Sequence, residues 1–247
     1  IVLGCFYMTT LMTDEKPKAF GSEQEAILSY NLGQISLRQE IIVKIGSKIE
    51  KTTVGRVIFN QVLPTKLRFI NEVMDKGALK GVVSRSLEIF GFEPTSVLLD
   101  DLKELGFEYL TKSGLSWGMD DLDVPKEKAA ILKDAENKTE EIANHYNEGL
   151  LTDDERHGKV IEVWNRAKDQ VTDVSKKSLK VGGSVYSMVS SGARGTWAQV
   201  TQMMGMKGLV TSPSGDIIEL PVKGNFKEGF DVLEFFISTH GARKGLT

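Results

Sequence analysis

The chain has 247 residues, 40% hydrophobic and 26% charged, the composition of a folded protein with one large core or two ordinary ones, which argues against a disordered chain. Lys and Arg number 31 against 34 Asp and Glu, a net charge of −3, so the chain lacks the basic field of a free-standing nucleic-acid binder and any cationic site must be local. The single cysteine, Cys5, excludes an internal disulfide and fits a reducing cytoplasm, and three scattered histidines (His145, His157, His240) give neither a zinc-ligand spacing nor a catalytic triad.

The opening IVLGCFYMTTLM is apolar but too short to span a bilayer, and it lacks the initiating Met and positive leader of a signal peptide. With a last helix that reaches Thr247 without a stop signal, it reads as a section cut from a longer chain. Ser22 and Glu25 form a capping-box pattern that opens a helix through Ala26, Ile27 and Tyr30, closed by Gly33. Ile35, Leu37, Ile41, Val43 and Ile45 then alternate with polar residues, which predicts one half-buried strand. From Thr53 to Gly106 the period is helical: Val57, Ile58 and Val62 precede Pro64, Leu79, Val82 and Leu87 follow, and Leu98, Leu102 and Leu105 end at Gly106. In GMDDLDVP, Asp120, Asp121 and Asp123 could hold magnesium, but Asp123 lies two residues before Pro125, where capping a helix is the better expectation.

Within 126–180, Ile131, Ala135, Ile142 and Tyr146 recur at helical spacing, and after a turn so do Val160, Trp164, Ala167, Val171 and Val174. Two long antiparallel helices are predicted. Gly149 stops the first, Thr152 and Glu155 cap the second, and Glu148, Asp153, Asp154 and Glu155 form an acidic tip. Such a hairpin is either structural alone or a surface that presents its tip to other proteins.

After Lys180 the chain turns to small residues. SPSGD (212–216) predicts a turn into a strand from Ile217 to Val222, and the last helix is expected from about Gly229. That helix reads as amphipathic. Gly241 and Gly245, spaced i, i+4, would leave a stripe free of side chains beside Arg243 and Lys244, suited to bending against a large flat partner. The densest chemistry lies in SGARGTWAQVTQMMGMKGLV (191–210). Gly192 and Gly195 flank Arg194, a guanidinium suited to phosphate oxygens, and Lys207 sits between Gly205 and Gly208. The alternative for Arg194 is a surface turn paired with a carboxylate. Neither a P-loop nor a dinucleotide fingerprint occurs. The fold class expected is α+β and mainly helical: short packed helices with a small sheet (1–125), the helical hairpin (126–180), and a segment ending in a helix (181–247).

These motifs, with TTVGRVIFNQVLP (52–64), KSGLSWGMDDLDVP (112–125), GLLTDDERHGKVIEVWNRA (149–167) and PSGDIIELPVKGNFKEGFDVLEFFISTHGARKGL (213–246), closely resemble the beta-prime subunit of bacterial DNA-directed RNA polymerase. The resemblance covers essentially the whole chain. It implies a nucleotidyltransferase making RNA from NTPs on a DNA template, with the hairpin as the rim of the secondary channel and its tip docking transcript-cleavage factors. It implies that Arg194 and Lys207 contact the nucleotide, and that Phe236, His240, Arg243 and Lys244 belong to the bridge helix beside nucleic acid. Thr201 stands where many members carry arginine, and GGSVYSM (182–188) departs from the family's usual Asn before Val-Tyr-Met-Met. Catalytic Mg and structural Zn would be held outside these residues, with no catalytic or metal-binding residue within them. Implied partners are the beta, alpha-dimer and omega subunits, sigma factor, DNA and RNA, with no membrane. Two competing readings are a self-contained magnesium phosphotransferase using Asp120, Asp121, Asp123 and Arg194, and a helical-hairpin interaction module without a catalytic role.

Overall fold

The computed structural model describes residues 1–12, 16–212 and 214–243, with backbone alone for 240–243. Two compact units are present, the first comprising Ile1–Ser116 and Val181–Arg194, the second Trp117–Lys180 and the residues from Gly195 onward.

The first unit starts with α1 (Val2–Thr9), apolar on all sides and accordingly internal, with Cys5 and Met8 fully buried. Strand β1 (Lys18–Phe20) precedes α2 (Glu23–Asn31), where the Ser22 hydroxyl accepts from the Glu25 amide at 3.2 Å. Gly33, at φ 69°, ends the turn that follows. The single strand expected over 35–45 is shorter. Only β2 (Glu40–Ile45) is regular, because Gln39 N–H folds back onto the Ser36 carbonyl (3.2 Å) and leaves Ile35 and Leu37 buried outside the sheet. β2 pairs in parallel with β1 and antiparallel with β3 (Lys48–Thr53), Val43 facing Glu50. The charged, largely exposed β3 carries no apolar alternation, so the sequence did not mark it as a strand.

Helix α3 (Val54–Val62) is capped by the Thr53 hydroxyl and stops before Pro64. α4 (Lys76–Phe90) is capped by Asp75, and α5 (Phe92–Ser113) follows after Gly91. The expected stop at Gly106 does not occur. A Cβ on Gly106 would sit 2.9 Å from the Ile1 Cα, and one on Gly4 would sit 1.9 Å from the Gly106 carbonyl oxygen. Gly106 therefore admits the backbone of α1 against α5, and the helix ends at Gly114 instead, in the left-handed conformation. Cys5, Met8, Phe59, Leu63, Met74 and Leu102 form the main core, while Ala26, Ile41, Val43 and Val57 close the sheet against α2 and α3.

In the second unit, α6 (Lys128–Asn147) and α7 (Asp153–Ser178) form the expected hairpin. Gly149 turns at φ 77°, and Thr152 and Glu155 cap each other reciprocally, the Glu155 amide reaching the Thr152 hydroxyl at 3.3 Å and the Thr152 amide reaching the Glu155 carboxylate at 2.9 Å. The seam joins Ala135 to Val160, Trp164, Ala167 and Val171, with Met206 beneath. Asp123 does not cap α6. Glu127 occupies that position, and Asp123 instead accepts a bond from the Ser178 hydroxyl at its carbonyl (3.5 Å).

The chain returns to the first unit as α8 (Ser184–Ser190), and the Lys76 amide donates to the Ser191 carbonyl at 2.9 Å. In the second unit α9 (Trp197–Val200) runs on as a π-helical turn (Thr201–Gly205). The strand expected over 217–222 is only a pair of isolated bridges, Gly208 to Val222 and Thr211 to Ile217. α10 (Val232–Arg243) starts later than Gly229 and is not amphipathic over its described side chains: Val232, Leu233, Phe235 and Phe236 are exposed, and Ser238 is the buried one. Lys244 and Gly245, and the side chains of His240 and Arg243, lie outside the described residues.

Candidate functional site: the Arg194 turn, the Lys207 loop and the hairpin tip

Arg194 stands in a turn built for presentation. Gly192 at φ 69° and Gly195 at φ 79° adopt conformations that a side chain disfavours, and the Arg194 amide is tied back to the Met188 carbonyl at 3.3 Å. The Ser191 hydroxyl donates to Met188 O at 3.0 Å and accepts from the Ala193 amide at 3.2 Å, closing the turn from inside. The Arg194 side chain is exposed, and its guanidinium has no ion pair or hydrogen bond among the described residues. Among the described residues no carboxylate pairs with it, as the surface-turn alternative would require.

Lys207 is different. Its ammonium is half-buried, donates to the Ser238 carbonyl at 3.0 Å and to the Ser238 hydroxyl, and lies 5.7 Å from the centre of the Phe226 ring. Burial pushes its pKa below the usual lysine value. Thr201 is 1% exposed and turned inward, its hydroxyl donating to the Trp197 carbonyl at 2.9 Å and meeting Thr172 of α7 at 3.3 Å. Phe236 is exposed and meets Phe235 edge to face, the ring centres 6.2 Å apart.

At the hairpin tip Glu148, Asp153, Asp154 and Glu155 are all exposed. Two are engaged: Glu155 in the capping box, which holds its carboxyl below the usual range through the Thr152 amide, and Asp153 with Arg156 at 2.8 Å. Arg156 also forms a fork with Glu219 (2.6 and 2.9 Å), His157 Nδ1 approaches the same carboxylate at 2.7 Å, and Tyr146 lies 5.3 Å from the guanidinium. A groove of about 490 Å³ lies beside this cluster, lined by Glu140, Val160, Trp164, Leu220 and Pro221 among others. Sequence reading missed Glu219, Glu234 and Ser238. Glu219 was the most findable, as a lone carboxylate within the apolar run IIELPV.

Among the described residues no three or more His, Cys, Asp and Glu converge as a metal site. Asp121 accepts from the Gly118 amide at 2.7 Å, a loop role. Among the described residues, therefore, no donor set for magnesium or zinc is assembled. No helix among the described residues is long and apolar enough to cross a membrane.

Two stretches of the chain match known family models. Residues 1–122 match the family model described as RNA polymerase Rpb1, domain 3, and residues 151–231 match RNA polymerase Rpb1, domain 4, which defines the class as polymerase domains. The chain is 44% identical to DNA-directed RNA polymerase subunit beta' of Syntrophomonas wolfei over 269 residues, covering 100% of this chain and 23% of the relative. It is 45% identical to the same subunit of Pelotomaculum thermopropionicum and 46% identical to that of Desulforamulus reducens, in each case over 100% of this chain and 21% of the relative. The chain belongs to the beta-prime family of DNA-directed RNA polymerase, and the resemblance drawn from its motifs holds. It spans between 21% and 23% of the length of these curated relatives.

Proposed function

We propose that these residues are a working part of the catalytic beta-prime subunit of a DNA-directed RNA polymerase, lining the path by which NTPs reach the active site. The observation that carries this is the Arg194 guanidinium, exposed on a glycine-framed turn and without a partner among the described residues. Phosphoryl transfer needs positioning and charge neutralisation more than covalent help from the protein, and a free guanidinium supplies two parallel donors to a triphosphate. In this reading α10 is the beginning of the bridge helix, to which Phe236, His240, Arg243 and Lys244 are assigned by the family resemblance. The hairpin is the secondary-channel rim, and residues 1–125 are the channel wall. Magnesium and structural zinc would be bound by other parts of the longer subunit.

Exposed apolar side chains support a role inside an assembly. Phe92 is 79% exposed, Val232 73% and Phe236 60%, more than an isolated protein commonly leaves in water. The partners that fit are the beta, alpha and omega subunits and sigma factor, in the cytoplasm. At the hairpin tip Glu148 and Asp154 are exposed and unpaired among the described residues, which suits docking of a basic surface such as that of a transcript-cleavage factor.

In the assembled enzyme Arg194→Ala should lower kcat/KM for NTPs by roughly 10–100-fold, the worth of a charge-assisted hydrogen bond to phosphate. Steady-state nucleotide addition measures it. Kinetics equal to wild type would remove Arg194 from nucleotide contact, and loss of factor binding in a tip deletion without any effect of Arg194→Ala would favour the interaction-module reading.

A further inference from the structure

Helix α10 presents a physical problem. Among its described side chains four apolar residues, Val232, Leu233, Phe235 and Phe236, are exposed and only Ile237 is half-buried, so little hydrophobic burial from these residues holds it to its own unit. What holds it is polar and lies on one face. Glu234 accepts from the amides of Lys223 at 2.7 Å and Gly224 at 3.0 Å through one oxygen, and from the Asp231 amide at 3.2 Å through the other. One turn further, at the i+4 position on that face, Ser238 receives Lys207 at both its carbonyl and its hydroxyl. The two holds are joined, because the Lys207 amide donates to the Gly224 carbonyl at 3.1 Å.

The loop behind them is itself fixed. Asn225, fully buried, donates to the carbonyls of Met204 and Gly205 at 3.0 and 3.1 Å. A Cβ on Gly224 would stand 2.7 Å from the Glu234 carboxylate, so glycine is what lets that carboxylate reach two successive amides. The Ser238 carbonyl is an interior acceptor of α10, a position that ordinarily serves only the helix's own ladder. A lysine donating there restrains the helix axis at that turn.

We infer that Lys207 is a positioning residue which, with Glu234, forms a two-point polar clamp that sets where α10 stands. Two of the three ammonium donors are spent on Ser238, which leaves one for any phosphate. The mechanical role assigned to α10 rests on the reading of that helix as part of the polymerase active site; the clamp itself does not.

The test uses the full enzyme carrying Lys207→Met, Lys207→Arg, Glu234→Ala or Arg194→Ala, with assembly confirmed for each. Amide hydrogen exchange is followed over 232–243, and nucleotide kcat and KM are measured separately. Lys207→Met and Glu234→Ala should speed exchange in α10 by about tenfold or more, the expected effect of removing a charged hydrogen bond. They should lower kcat while KM stays within about twofold, and Lys207→Arg should restore most of both, since a guanidinium can still donate to Ser238. Unchanged α10 exchange in both Lys207→Met and Glu234→Ala overturns the clamp, as does a raised KM with unchanged exchange, which would make Lys207 a nucleotide ligand only. Faster exchange with wild-type kinetics upholds the clamp and defeats the active-site reading of α10. A kinetic effect of Arg194→Ala reports on that reading independently.

Discussion

Gly106 shows how far a single residue can be read without its neighbours. Met after Leu98, Leu102 and Leu105, a glycine looks like a helix stop, and an interior glycine costs about 1 kcal/mol relative to alanine. Its purpose is visible only in three dimensions, where the Ile1 and Gly4 backbone lies against it. The ordinary sign of a helix Gly→Ala substitution should therefore reverse. Gly106→Ala is expected to destabilise the protein by about 1–3 kcal/mol through overpacking, and Gly4→Ala by at least as much. Thermal or urea unfolding of the purified variants checks both. A stabilised Gly106→Ala would mean that α1 does not pack at this distance. Arg194 is the opposite case: its neighbours in sequence, Gly192 and Gly195, already encode its presentation, so reading it as an exposed cation needed no tertiary knowledge. Lys207 shares the glycine-flanked pattern, but its destination, Ser238, lies 31 residues on and left no local trace.

Elements were legible in proportion to how local their causes are. The hairpin of α6 and α7 was readable because the 3.6-residue stripe, the Gly149 stop and the Thr152 box all sit within the segment they shape. The strand β3 was not, since its pairing with β2 is what makes it a strand. The cluster of Arg156, His157 and Glu219 is another non-local feature, joining the start of α7 to the loop before α10. Arg156 first, and His157 after it, hold the Glu219 carboxyl below the usual glutamate range. The stabilisation is thus fully present above the unfolded pKa of about 4.3 and is lost as pH falls through the lower folded value. Stability of the second unit should drop below about pH 4 in the wild type and drop less in Glu219→Gln, which cannot ionise. Unfolding midpoints measured from pH 7 to pH 3 distinguish the two, and parallel curves would show that the cluster is too solvated to matter.

At the scale of the molecule, neither unit is a continuous stretch: residues 181–194 complete the first, and the residues from Gly195 onward complete the second. Periodicity carries no record of such returns, which explains why composition spoke of one or two cores without locating them. The cores themselves have no member in common. Cys5, Met8 and Phe59 anchor one, and Trp164, Val171 and Met206 anchor another. Separate cores permit separate unfolding. Cys5 reports on the first unit, because it is fully buried and burial raises its thiol pKa to about 11, two reasons for it to resist alkylation until that unit opens. Trp164, 3% exposed, is central to the second, and Trp164→Ala should cost about 3–5 kcal/mol there. The expected outcome is a loss of helical signal from the hairpin at a temperature where Cys5 still resists iodoacetamide as it does in the wild type. Simultaneous loss of helix and of Cys5 protection would instead mean that the two cores unfold as one cooperative body, and that stability in either unit is shared with the other.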